Sequence, residues 1–142
     1  MSIIKELFET IEKYISELDK KVSTVSVDVL VNDFFNLNAV LHILQVSIQA
    51  LIDMSMRLLS IMGRNAKSYS DVPKNLEELK ILSSEEAIML KKIIGFRNVI
   101  VHSYTKVKID IVKKILTEKL YLDIVKLAYK VFKASTDKGI DC

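Results

Sequence analysis

Residues 97–104 read RNVIVHSY, and four of those eight side chains could do chemistry: Arg97, Asn98, His102 and Tyr104. Arginine supplies a permanent, fork-shaped cation that matches phosphate. Histidine titrates near neutrality and can take or give a proton. Cleavage of RNA by its own 2′-hydroxyl needs both: one group removes the hydroxyl proton, and another stabilises charge building on the phosphoryl oxygens. Such a reaction needs no metal. At about 100° per residue of a helix, Arg97 and Tyr104 share nearly one direction, and Asn98 and His102 share a neighbouring face. The β-branched run Val99, Ile100, Val101 weakens the helix near that end. An arginine five residues before a histidine is a weak pattern taken alone. Its bland alternative pairs Arg97 with a surface acid and leaves His102 hydrogen-bonded at a helix end.

The rest of the chain must position these residues. Its 142 residues suit one domain, and half of them are hydrophobic. Three glycines and one proline are too few for a turn-rich β-fold, so helices are expected. Net charge is only +3, but it is unevenly spread. Residues 1–79 carry eight Lys/Arg against eleven Asp/Glu, while residues 80–142 carry thirteen against seven. The octet thus lies in the basic half, which suits a phosphate chain or simply a solvated basic surface. Cys142 is the only cysteine, which rules out an internal disulfide and a cysteine-based zinc site. No metal and no cofactor are expected. The N-terminal stretch mixes acids into its apolar positions and does not read as a signal peptide; a cytoplasmic protein is expected.

A first helix is expected over residues 2–21, with Ile4, Leu7, Phe8, Ile11, Ile15 and Leu18 as its buried stripe. STVSVD then breaks the pattern. A long second helix is expected over 27–62, terminated by Gly63. It contains FFNLNAVLHILQVSIQALI, a charge-free run close to the length of a membrane span. Its Asn, His, Gln and Ser residues would be costly in lipid, so the run reads as a buried helix with no membrane role. Residues 63–75 form a loop, and LEELKIL suggests a short helical turn. Ser83 followed by Glu86 is a capping-box pattern opening the helix that runs into the octet. Ala87, Leu90, Ile93 and Ile94 are its packing positions. A last helix is expected over 110–134, burying Ile111, Ile115, Leu122, Val125, Tyr129 and Phe132, before a frayed tail at 135–142. The sum is an all-α, up-and-down bundle of four helices with a short fifth, forming one domain over 1–134.

The sequence GFRNVIVHSY resembles the R-N-x-x-x-H-x-Y signature of the HEPN-domain ribonuclease toxins of the HepT type. The segments LQVSIQALIDMSMRLL, SYSDVPKNLEELKIL and AIMLKKIIGFRN are similar to the corresponding family segments, so the resemblance covers roughly residues 27–132. It implies a toxin whose Arg97 and His102 are catalytic, with Asn98 in support. It also implies a minimal nucleotidyltransferase antitoxin as partner and Tyr104 as acceptor of its AMP. A homodimer, with both motifs facing a shared cleft, is implied as well. AMP on Tyr104 would add bulk and negative charge beside Arg97. Where Gln49 stands, many relatives carry a glutamate that can pair with the motif arginine; Asp53, one turn on, is the substitute partner expected here.

Asn38, His42, Gln45, Gln49 and Asp53 follow steps of four, three, four and four, forming one polar stripe on the second helix. They either line a cleft opposite Arg97 and His102 or form a hydrogen-bonded seam, with His42 an interior residue. Lys91, Lys92, Lys106 and Lys108 flank the octet and could guide RNA. Tyr69 could stack on a base. Two functions therefore compete: a metal-independent endoribonuclease toxin, and a non-catalytic HEPN module that docks a nucleotidyltransferase.

Overall fold

The computed structural model describes residues 2–103 and 108–140, the side chains of 101–103 excepted. Among the described residues there are seven α-helices, one 3-10 turn and no strand. Helix α1 spans Ile3–Thr24 and is capped by the Ser2 side chain, which accepts from Lys5 N at 3.0 Å. Its expected stripe is buried at Ile4, Phe8, Ile11, Ile15 and Leu18. The helix runs three residues past its expected end. The Ser23 and Thr24 hydroxyls donate to carbonyls one turn back, at Asp19 and Lys20, and so prolong the helix they were expected to break.

The expected second helix is two. Helix α2 spans Val27–Asn32 and α3 spans Phe34–Ile61. Between them Asp33 takes an extended conformation, and its carboxylate accepts from Asn36 N at 2.9 Å. The N-cap role forces non-helical torsions on Asp33, which is why the apolar run does not continue as one rod. Phe34 and Phe35 meet edge to face in the first turn of α3 and are exposed. Further along, α3 is the central helix. It packs on α1, α5 and α7 and buries Leu44, Ile48, Leu51, Ile52, Leu58 and Leu59. Helix α3 is long and apolar enough to cross a membrane by length and composition, but this face is spent on the bundle. Gly63, at φ +80°, ends it as expected, in the left-handed conformation glycine adopts at little cost.

The loop expected over 63–75 already contains structure. A 3-10 turn at Tyr69–Asp71 leads into α4, Val72–Glu78, with Pro73 in its first turn, where the missing N–H costs nothing. Arg64 clamps this connection by donating to Asn75 Oδ1 at 3.2 Å and Glu78 Oε1 at 2.8 Å. Helix α5, Ser84–Ser103, opens with the expected capping box: Glu86 N donates to Ser83 Oγ, and Ser83 N to Glu86 Oε1.

The expected last helix is also two, α6 at Ile109–Thr117 and α7 at Leu122–Asp137. The chain turns between them through Lys119, at φ +52°. That turn changes the helical phase, so the buried set is Val112, Leu116, Ile124, Leu127, Ala128 and Val131. Ile111 and Tyr129, expected inside, are exposed. Helix α7 continues past the expected end at 134 to Asp137 and buries Ser135, whose hydroxyl bonds the Phe132 carbonyl. Phe132 stacks on Phe8 at 4.8 Å, closing α7 onto α1.

Candidate active site

Arg97 lies on α5, three turns beyond the capping box, and is half-buried. Its Cζ sits 5.3 Å from the centroid of the Tyr69 ring, within cation–π range. Its Nη1 donates to Asn98 Oδ1 at 3.3 Å. Its Nε is buried and has no hydrogen-bond partner among the described residues. Among the described residues no carboxylate forms an ion pair with Arg97.

The expected Arg97–Asp53 pair is not formed. The Asp53 carboxylate instead accepts from Gln49 Nε2 at 2.8 Å, along its own helix. The same Gln49 amide nitrogen reaches the Tyr69 hydroxyl at 3.4 Å. Because a carboxylate can only accept, this bond fixes the amide orientation and leaves Gln49 Oε1 buried and unpartnered. Gln49 from α3, Tyr69 from the 3-10 turn and Arg97 from α5 thus make one chain of contacts. Tyr69 is held there by its own turn: Asp71 Oδ2 accepts from Ser68 N, and Asn75 Nδ2 donates to the Asp71 carbonyl. Sequence reasoning took Tyr69 for a base-stacking candidate and missed its contact with Arg97. Only the packing of turn against helix creates that contact, and no local pattern announces it.

The polar stripe divides. Asn38 is exposed and donates to the Phe34 carbonyl, within its own helix. His42 is exposed too, contrary to the expected interior position, because it faces away from the buried Val40 and Leu44 on either side of it. Only the Gln49–Asp53 end connects to the arginine, through the Tyr69 ring. Lys91, Lys92 and Lys108 are exposed. The side chains of His102, Tyr104 and Lys106 lie outside the described residues, so the expected approach of imidazole to guanidinium does too. His102 itself belongs to the last turn of α5. Lys113, another basic residue after the octet, is tied to Asp28 of α2 at 2.6 Å.

A cavity of about 460 Å³ lies elsewhere, between α3, α5, α6 and α7, lined mainly by apolar groups such as Leu44, Ile48, Ile93, Phe96 and Ile124. Among the described residues, Gln49, Tyr69 and Arg97 do not line it. Among the described residues no three His, Cys, Asp or Glu side chains gather as metal ligands would.

An all-helical domain with an Arg-Asn pair near the end of its penultimate long helix is the build of a HEPN domain. The chain belongs to the HepT-like ribonuclease family, whose model matches residues 11–130. A curated relative from Archaeoglobus fulgidus, named "Putative RNase", is 30% identical over 92 residues, 63% of this chain and 69% of that protein. Among solved structures, a tri-AMPylated HEPN toxin of Shewanella oneidensis in complex with its MNT antitoxin superposes with a TM-score of 0.81. It is 25% identical and covers 94% of this chain and 98% of its own. YutE of Bacillus subtilis, a cytosolic protein of unknown function, shares the fold at a TM-score of 0.80 and 17% identity, covering 97% of this chain and 95% of its own.

Proposed function

We propose that this protein is the toxin of a toxin–antitoxin pair and cuts RNA without a metal ion. Arg97 and His102 act on one phosphodiester. His102 takes the proton from the 2′-hydroxyl, whose oxygen attacks phosphorus, and the 5′-oxygen leaves with a proton returned by the same or the partner imidazole. Arg97 stabilises the negative charge that accumulates on the phosphoryl oxygens. Asn98, on the arginine's own turn, fixes one guanidinium edge. The observation that carries this reading is a half-buried guanidinium seated against a neutral ring, unpaired with any described carboxylate, in a chain of a ribonuclease family.

Partner and control follow by analogy with the Shewanella toxin, which was solved AMPylated and bound to its antitoxin. A minimal nucleotidyltransferase transfers AMP to Tyr104, and the added phosphate occupies the arginine in place of RNA. The working form is a cytoplasmic homodimer, with Lys91, Lys92, Lys106 and Lys108 drawing the RNA backbone to its cleft. The competing reading, a docking module without activity, is favoured by one feature: Gln49 stands where many relatives hold an acid. The two separate in one assay. Purified protein freed of its partner cuts RNA in EDTA on the first reading, and His102→Ala abolishes the cut. On the second, the freed protein binds the nucleotidyltransferase and leaves RNA intact.

A further inference from the structure

We propose that Tyr69 is a positioning residue that holds Arg97 as an uncompensated cation for phosphate. This rests on the ribonuclease reading above and adds a residue to it. An arginine can be held in place by a carboxylate or by an aromatic face. A carboxylate fixes it firmly but neutralises it, and any phosphate must then compete with the carboxylate. A ring face attracts the guanidinium through its quadrupole and leaves the full positive charge and the N–H edges available. Here the second device is built. The Tyr69 ring lies 5.3 Å from Arg97 Cζ; among the described residues the guanidinium bonds the neutral amide of Asn98, and the ring hydroxyl that of Gln49.

The acid nearest in the network, Asp53, is occupied by Gln49 Nε2 at 2.8 Å. Gln49 also touches the Tyr69 hydroxyl, so it steadies the ring from behind while holding the carboxylate to α3. Arg97 Nε is left buried, with no hydrogen-bond partner among the described residues. A buried donor without a partner is costly, and the ring contact is the described interaction that offsets it. Gln49 thus belongs to the cradle through its amide.

The test compares Tyr69→Phe, which keeps the ring, with Tyr69→Leu and Tyr69→Gln, which remove it; circular dichroism identifies the ring-less variant that folds. The Arg97 Nε–H proton resonance should be displaced by the ring in the wild type and in Tyr69→Phe, and return to an ordinary arginine position in the folded ring-less variant. In RNA cleavage, Tyr69→Phe should stay within about twofold, while the ring-less variant should lose about tenfold in kcat with little change in KM. In an Arg97→Lys background, removing the ring should cost no further activity. A wild type that cuts RNA while the ring-less variants match it in kcat overturns the positioning role and leaves the nuclease reading standing. A wild type that cuts no RNA removes the nuclease reading. The cradle is then decided by the same resonance on adding a 2′-deoxy oligonucleotide: a shift confined to the ring-bearing proteins upholds it, and equal behaviour of all variants overturns it.

Discussion

The Tyr121 hydroxyl donates to Asp19 Oδ1 at 2.6 Å, joining residues 102 positions apart in sequence. Lys119 reaches the same oxygen at 3.1 Å, so the turn between α6 and α7 is pinned to α1 at one carboxylate. That turn follows α6, so the pin helps fix where α6 ends. The Asp19 carboxyl is held below the ordinary aspartate range, by Tyr121 first and Lys119 second, against a smaller opposing effect of burial. Burial and then Asp19 push the Tyr121 phenol well above its ordinary value, so it stays a donor throughout the physiological range.

Replacing Tyr121 by Phe keeps the buried ring and deletes the bond. The melting temperature should fall by a few degrees at pH 7. The sign of its pH dependence follows from Asp19: its folded-state pKa is depressed, so its stabilisation is present above the unfolded value near ~4 and is lost as pH falls through the folded one. The gap between wild type and Tyr121→Phe should therefore narrow in acid, below about pH 4. Thermal melts at pH 3 and pH 7 check this; a gap that widens in acid contradicts it.

Ser83→Ala should destabilise the protein by about 1 kcal/mol, because it removes the acceptor for Glu86 N at the start of α5. Glu86 is held below its ordinary pKa by the Ser83 N–H first, with Lys130 contributing. Glu86→Gln should therefore cost less than Ser83→Ala, since an amide oxygen can still accept from Ser83 N. Urea unfolding at pH 7 measures both, and equal m-values would show that the cap alone has changed.

Arg97→Ala should lower RNA cleavage on the order of 10²-fold or more, with the fold unchanged, if the guanidinium stabilises the transition state. Arg97→Lys should not restore it, because an ammonium cannot offer the same planar fork. Cleavage rates alongside circular dichroism spectra decide the point; a lysine variant at wild-type rate would reduce Arg97 to a plain charge.

Tyr104→Phe should leave cleavage intact and remove silencing by a minimal nucleotidyltransferase with ATP. Intact mass should show AMP on the wild type and none on this variant at residue 104. Full silencing of the phenylalanine variant would place control elsewhere.

Much of this was legible in the sequence where one residue carries its own local signal. Ser83 and Glu86 announce a capping box, Gly63 a helix end, and Ile4 to Leu18 one buried stripe, and all three stand in the structure. Asp33 carried a signal too, a capping residue before an apolar run, but the apolar pattern on both sides hid it. The turn at Lys119 had none, since a lysine in a left-handed conformation leaves no mark in TEKLYL; that one hidden turn misplaced Ile111 and Tyr129. In the site, Arg97 was visible from its motif. The loss of its expected pairing with Asp53 and its contact with Tyr69 were not, because both depend on how a turn after α3 packs against α5.

The most direct measurement takes the purified protein, stripped of partner and AMP, in excess EDTA with an end-labelled RNA, and reads the product ends. Internal scission leaving 2′,3′-cyclic phosphates is the expected result, with Arg97→Ala, His102→Ala and the double variant all inactive to a similar degree, as groups acting on one phosphodiester should be. Cleavage that vanishes with the chelator, or that survives in His102→Ala, would contradict the account.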